Sequence, residues 1–304
     1  MRNRSFRLRG EETCAARATA DISIEKLHWL PRRGVDGSSP RHIYQSRFGC
    51  TSRAGSLRWR ILTITGVSIT VSETSTFKLD PAPKVITFDC YGTLVQWYEV
   101  LQKEISIMLE KYDANDKSAF AILDSFSAQG RRLTAEKPHR LYKDILRVGL
   151  AAAFSEHGLN LNVNEIERVA SSLVTMGPHP EVPAALKRMR ERYKLAIFTN
   201  SDDDLIAPVV ARIGVPFDYV ITAEQAQAYK PSRRIFAHAY RTMGVTPNET
   251  VHVAMGMYWD MKAVHELGLR GIWVNRRDEI GNPDWLPYAE VRDLDGAAEL
   301  LLSK

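Results

Sequence analysis

Val85-Ile86-Thr87-Phe88-Asp89-Cys90-Tyr91-Gly92-Thr93 runs an apolar, β-branched segment into a carboxylate and then into a tight turn. Residues 84–88 have the composition of a strand buried on both faces. Gly92-Thr93 supplies a turn whose backbone N–H groups can face an anion. Asp89 therefore falls at the carboxyl end of a central strand, where open α/β sheets take up their ligands. A lone Asp at a strand end is more often a helix cap than a nucleophile. What else reaches the same edge decides between the two.

Downstream, strands and helices alternate. Residues 193–200, 217–222, 250–254 and 271–275 read as four further strands, with helices around 181–192, 203–213, 232–243 and 260–267 between and after them. Pro180 and Pro231 lead the first and third of these helices, a position where a missing N–H costs nothing. This alternation implies an α/β fold, a doubly wound, parallel, Rossmann-like sheet with right-handed crossovers. About a hundred residues separate the first two strands, and their apolar spacing is helical: Leu101, Ile105, Met108 and Tyr112, then Leu141, Ile145, Val148 and Ala152, then Ile166, Val169 and Leu173. The expectation is a helical cap, residues 96–177, inserted into a core made of 81–95 and 178–304. Leaving after the Asp89 turn and returning through Gly177-Pro178-His179-Pro180, such a cap lies over the strand ends and can exclude water from them.

Charge is unevenly spread. Of the chain's net +5, residues 1–75 contribute 13 Lys and Arg against 6 Asp and Glu, so the rest is close to neutral. The body of the protein thus offers no electrostatic reason to expect nucleic acid as a partner. Residues 1–80 read as a basic extension, rich in Ser, Arg and Gly and without apolar periodicity, expected to be disordered or loosely packed. Three origins compete for it: an organellar leader, which lacks a traceable amphipathic helix; a nucleic-acid arm, with only Trp29, Tyr44 and Trp59 as aromatic partners; and upstream translation ahead of a true start near Val67 or Val71, the preferred one. Hydrophobic residues make up 44% of the 304 and charged residues 25%, ordinary for a globular protein. No apolar run approaches the ~18 residues a bilayer span needs, so no membrane association is expected. Cys14, Cys50 and Cys90 are too few and scattered for a disulfide framework or zinc site, which points to a reducing, cytoplasmic setting.

Four segments deliver polar groups to one edge of the sheet. Asp89 ends the first strand, Thr199-Asn200 the second, Lys230 follows the third in Tyr229-Lys230-Pro231, and Asp260 follows the fourth in Tyr258-Trp259-Asp260. Each alone has a plainer reading: Thr199-Asn200 as a helix cap, Lys230 as a solvated charge, Asp260 as an N-cap. All four in register favour a site.

The order and spacing of these motifs resemble the haloacid dehalogenase superfamily, and within it the 2-haloacid dehalogenases, over residue 84 to about 300. The resemblance implies Asp89 as nucleophile, Thr199 and Asn200 as substrate-binding groups with the turn amides near Tyr91, and Lys230 as the charge that neutralises the nucleophile's surroundings. Asp260 is implied as the residue assisting water, Trp259 matches the Trp before it, and Arg132, or its neighbour Arg131, is the counterpart of a cap arginine that grips halide. Phosphatases of the superfamily carry a second Asp two residues after the first and an acidic magnesium ligand in the fourth motif. Here those positions are Tyr91 and Met255, and a thioether cannot replace a hard oxygen ligand, so neither metal nor cofactor is expected.

The sequence departs from the dehalogenases at Met255, Met257 and Phe236, where they place Ser, Asn and Tyr. The pocket is more apolar in consequence, which bears on ester hydrolysis and on the substrate. The expected reaction is hydrolytic dehalogenation of a small 2-haloalkanoic acid, with inversion, through an ester on Asp89; loss of Lys230 is expected to cost activity and spare the fold. The partner is then a small-molecule carboxylate, and a homodimer is compatible with the resemblance. Two alternatives stay open: the same ester chemistry on a phosphate or strained C–N bond, and a non-catalytic binder that has kept the fold.

Overall fold

A computed structural model of the chain describes residues 79–303. The expectations for the basic extension, residues 1–80, fall almost wholly outside them. Six parallel strands form one sheet: β1 (Val85–Phe88), β2 (Lys194–Thr199), β3 (Tyr219–Thr222), β4 (Thr250–Ala254), β5 (Gly271–Val274) and β6 (Ala289–Val291), in the spatial order β3-β2-β1-β4-β5-β6. The order reverses at β1, so the switch point, where such sheets bind ligands, lies between β1 and β4. There Thr87 pairs with His252 and Phe88 with Val253.

Side chains alternate across each strand and feed two separate cores, as a doubly wound sheet requires. Ile86, Phe88, Leu195, Ile197, Val251 and Val253 enter one; Ala196, Phe198, Ala254 and Trp273 enter the other. The first is closed by α5 (Val182–Arg190), α6 (Asp203–Ile213) and α10 (Leu294–Leu302). The second is closed by the short α7 (Ala223–Ala226) and by α8 (Arg233–Met243), which the Ser232 hydroxyl caps and which buries Ile235, Phe236, Ala239 and Met243.

Between β1 and β2 lie α1 (Trp97–Lys111), α2 (Ala119–Ala135), α3 (Tyr142–Glu156) and α4 (Val163–Ser171). α4 starts at a capping box in which Asn162 and Glu165 satisfy one another's backbone N–H groups. The sequence pattern misses α2, whose apolar stripe of Ile122, Leu123, Phe126 and Leu133 is interrupted by Gly130. It also misphases α3: Val148 is exposed, and the inward face is Ile145, Leu146, Gly149, Leu150, Ala153 and Phe154, because Gly149 rather than Val148 meets Phe126. β6 and α10 were likewise not read from the sequence.

The insertion leaves and returns through neighbouring backbones. Val95 bridges Pro178, Gln96 N–H donates to Gly177 O at 3.0 Å, and His179 N–H donates to Leu94 O at 3.0 Å. Its helices touch the loops beyond the strands. Asp202, after β2, accepts the Tyr142 and Lys143 N–H groups at the start of α3 at 2.7 and 2.9 Å, and Arg277, after β5, lies over Tyr98 of α1 and Phe120 of α2. Among the described residues no helix is long and apolar enough to cross a membrane.

Candidate active site

The carboxyl ends of β1 and β4 and the loop after β3 converge on one ammonium. Lys230 Nζ donates to Asp89 Oδ1 at 2.8 Å, to Asp260 Oδ1 at 2.7 Å and to the Phe198 carbonyl at 2.9 Å, which accounts for all three of its protons. Thr93 Oγ1 donates to Asp89 Oδ2 at 2.7 Å and accepts from Met255 N–H at 2.9 Å. Both oxygens of Asp89 are thereby fixed. Behind Asp260, His252 Nε2 meets the same Oδ1 at 2.9 Å, and His252 Nδ1 meets Thr87 Oγ1 at 2.8 Å.

Asp260 is not a helix cap. It sits inside a π-helical turn, Met257–Met261, that precedes α9 (Lys262–Glu266) and points the carboxylate back under the sheet edge. Gly256 makes this possible, because a Cβ there would overlap Asp260 Oδ2. Gly92 does the same for the turn after Asp89: its φ of +82° is left-handed, and Met255 Sδ lies 3.2 Å from where its Cβ would be.

Burial sets the electrostatics. It pushes the Asp89 carboxyl up, against the pull of Lys230 and with the push of the Asp260 charge, and leaves it above the ordinary range. It acts the same way on Asp260, but Lys230 and the His252 hydrogen bond outweigh it and hold that carboxyl below the ordinary range. For Lys230 burial favours loss of the proton, and the two carboxylates prevail and hold the ammonium charged. Its side chain is 1% exposed. The expectation that its loss would spare the fold is therefore corrected: the ammonium neutralises one carboxylate that is fully buried and a second that is largely so.

The remaining expected residues divide. Thr199 ends β2 with its hydroxyl buried and without a hydrogen-bond partner among the described residues; the buried Tyr91 and Ser201 hydroxyls have no partner there but each other. Burial pushes the Tyr91 phenol far up, with the Ser201 hydroxyl acting against it, so the ring stays a neutral donor. Asn200 is occupied: its Oδ1 accepts Lys230 N–H at 2.7 Å and its Nδ2 donates to Lys230 O at 3.3 Å, so it positions the lysine. Trp259 lies half-buried in the π-helical turn with its ring edge against Tyr258. Arg132 is not brought to the others; it is held on the surface of α2 by Glu136 and Gln129. Arg131 instead lies over the Tyr258 ring, 5.9 Å from its centroid.

Sequence reasoning missed four contributors, one of them Ser201, directly after the Thr199-Asn200 pair. His252 hides in an apolar strand, where a lone polar residue is the signal to ask for partners. Thr93 stands in the opening motif four residues after Asp89, the separation at which a turn folds back. Arg276 follows β5 and reaches back to donate to Thr93 O at 2.8 Å and to pair with Glu181 at 2.7 Å, a contact no local pattern announces. Phe236 is buried in the second core beside Phe198 and His252. Among the described residues no group of three or more His, Cys, Asp or Glu is arranged to hold a metal ion.

Residues 83–268 match the family model of the haloacid dehalogenase-like hydrolases. An (S)-2-haloacid dehalogenase of Pseudomonas putida is 26% identical over 239 residues, 71% of this chain and 97% of its own. Another, from Pseudomonas sp. strain YL, is 29% identical over 151 residues, 47% of this chain and 63% of its own. Among solved structures, the L-2-haloacid dehalogenase of Xanthobacter autotrophicus with chloropropionic acid covalently bound superposes with a TM-score of 0.64 at 18% identity, covering 73% of this chain and 99% of its own.

Proposed function

Because the chain belongs to the haloacid dehalogenase-like hydrolases, we propose that it hydrolyses the carbon–halogen bond of a small 2-haloalkanoic acid through an ester on Asp89. The observation that carries this is the Lys230 ammonium held between two buried carboxylates, with the unpaired Thr199 hydroxyl and the buried Tyr91–Ser201 pair of hydroxyls nearby. In this reading residues 96–177 form a cap over a core of 81–95 and 178–304, and Tyr91, Thr199 and Ser201 receive the substrate carboxylate. A buried hydroxyl left unpaired costs roughly 1–3 kcal/mol, and an anionic ligand with several acceptor sites removes that cost.

Asp89 needs no base, since a carboxylate is already ionised at neutral pH, and its two oxygens are aimed by Thr93 and Lys230. One oxygen attacks C2 from the side opposite the halogen; the C–O bond forms as the carbon–halogen bond breaks, and halide leaves with its electron pair. C2 is inverted and an ester links it to Asp89. Water then adds to the acyl carbon as Asp260 takes its proton, with Lys230 stabilising the charge that develops on the oxygen. The tetrahedral intermediate collapses with the 2-hydroxy acid taking back the proton held by Asp260, and the restored Asp89 carboxyl releases water's second proton to solvent, so each turnover yields one halide and one proton. Lys230, Tyr91 and Met255 surround the nucleophile, and turnover is expected to be indifferent to EDTA and to added magnesium.

A single turnover in ¹⁸O-water, with enzyme in excess over an (S)-2-haloacid, tests the reading. The expected result is label in the Asp89 peptide and largely unlabelled (R)-2-hydroxy acid. Label in the product with none in that peptide contradicts the ester. No halide from any 2-haloacid, or strict dependence on magnesium, contradicts the reaction.

A further inference from the structure

We propose that His252 is a positioning residue for the second half of this reaction, holding Asp260 for its work on water while leaving the displacement at Asp89 alone; this rests on the ester reading above. His252 is 1% exposed in the middle of the sheet and lies within hydrogen-bond distance of Asp260 Oδ1 through one ring nitrogen and of Thr87 through the other. Burying an imidazole there in place of an aliphatic side chain is costly unless both nitrogens are bonded. The register of β1 with β4 places Thr87 beside it, so the second bond follows from the strand pairing itself.

The hydrogen bonds have a direction. Asp260 Oδ1 is an acceptor that already receives Lys230, so the ring must donate from Nε2. Nδ1 then accepts from the Thr87 hydroxyl, whose other contact, to Val251 O, is longer at 3.3 Å. Phe198 and Phe236 close around the ring, each with its centroid 5.9 Å away, and fix its plane. Thr87, His252 and Asp260 thus form a buried line ending on the carboxylate that must face the water. Asp89 is aimed by other groups: its contacts are Thr93 and Lys230, and neither touches His252. Removing the imidazole therefore leaves Asp260 tethered through Lys230 alone among side chains and looser in its aim, while Asp89 keeps both of its contacts.

The test separates the two half-reactions. Wild type, His252→Leu, His252→Gln and Thr87→Val are mixed with (S)-2-chloropropionate; chloride is followed from the first turnover, and the intact protein is weighed under turnover. His252→Leu is expected to release about one chloride per enzyme at a rate within a few-fold of wild type. It then slows on the order of 100-fold, with a 1-carboxyethyl group accumulating on Asp89. His252→Gln, which keeps an N–H for Asp260, restores most of the turnover. Should His252→Leu fail to fold, Thr87→Val carries the test, with the same accumulation to a smaller extent. Wild-type partitioning in both Thr87→Val and a folded His252→Leu overturns the inference. So does loss of the first chloride together with turnover, since that describes a general structural role. Wild type that releases no chloride overturns the reaction and this inference with it, whereas wild-type turnover with an unaltered His252→Leu overturns the inference alone.

Discussion

The two sides of the site are built on opposite principles. On the sheet side, Asp89, Lys230, Asp260, His252 and Thr87 form a chain in which each functional group finds its partner within the protein. On the other side, the hydroxyls of Tyr91, Thr199 and Ser201 are buried and, among the described residues, Thr199 has no hydrogen-bond partner while Tyr91 and Ser201 have none but each other. A saturated network is rigid and indifferent to what enters; an unsaturated one is costly until something does. The chemistry is thus fixed in advance, and recognition is left to be completed by the ligand. Substitutions on the two sides should separate accordingly, into rate and affinity.

The largest expected effect is on the saturated side. Lys230→Met should lower kcat by on the order of 1000-fold and destabilise the fold by roughly 3–5 kcal/mol, because it leaves two buried carboxylates without their cation. The stability gap to wild type should narrow as pH falls, since protonating one carboxyl removes the repulsion. Denaturant unfolding across pH checks this, and a variant as stable as wild type at pH 7 would show that Lys230 neutralises nothing. Gly256→Ala comes next. The added methyl displaces Asp260 Oδ2, and steady-state turnover should fall about 100-fold while the first halide equivalent survives. Equal loss of both phases in a folded variant would mean that Asp260 serves the displacement as well.

On the unsaturated side the effect is smaller and of another kind. If Thr199 donates to the substrate carboxylate as proposed, Thr199→Val should raise KM about 10-fold or more with kcat nearly unchanged, a hydrogen bond to a charged group contributing ~1.5–3 kcal/mol. A fall in kcat at constant KM would erase the distinction between the two sides. The pH profile sharpens it further. Burial, reinforced by Asp260 and opposed by Lys230, holds the Asp89 carboxyl above its ordinary range, whereas Asp260 is held below it. As pH falls, Asp89 is protonated first, so kcat/KM should drop with unit slope at a pH above the ~4 of a free Asp. An acid limb of slope two would mean that both carboxyls titrate together. The smallest effect is expected at Arg132, whose ion pair with Glu136 lies on the surface; Arg132→Ala should change kcat/KM less than about 3-fold, and a larger loss would restore it to the site.

Much of this was legible in the sequence because strands in parallel sheets announce themselves as short apolar runs and end where their polar residues begin. β1 through β5 are legible that way, with Asp89 and Thr199 at strand ends and Lys230 and Asp260 in the segments that follow β3 and β4. What escaped was set by contacts distant along the chain. Asn200 reads as a substrate ligand until the loop after β3 is seen to place the Lys230 backbone on its amide. Arg132 and Arg131 are adjacent on a helix, and only packing decides which one faces Tyr258. The polar neighbour expected from α8 is Phe236; a polar group comes instead from β4, as His252, through a strand register that sequence spacing does not encode.

The neck at Val95 and Pro178 carries a further consequence. The two backbones are hydrogen-bonded neighbours where the chain departs from the sheet and where it comes back. Whatever lies between them can be lengthened, shortened or exchanged without shifting a strand, as with any segment inserted between adjacent anchor points. Under the proposed function, the groups that break the bond and the helices inserted beside them are covalently joined only at this neck, so selectivity is open to change by exchanging the insertion together with its contacts to Asp202 and Arg277.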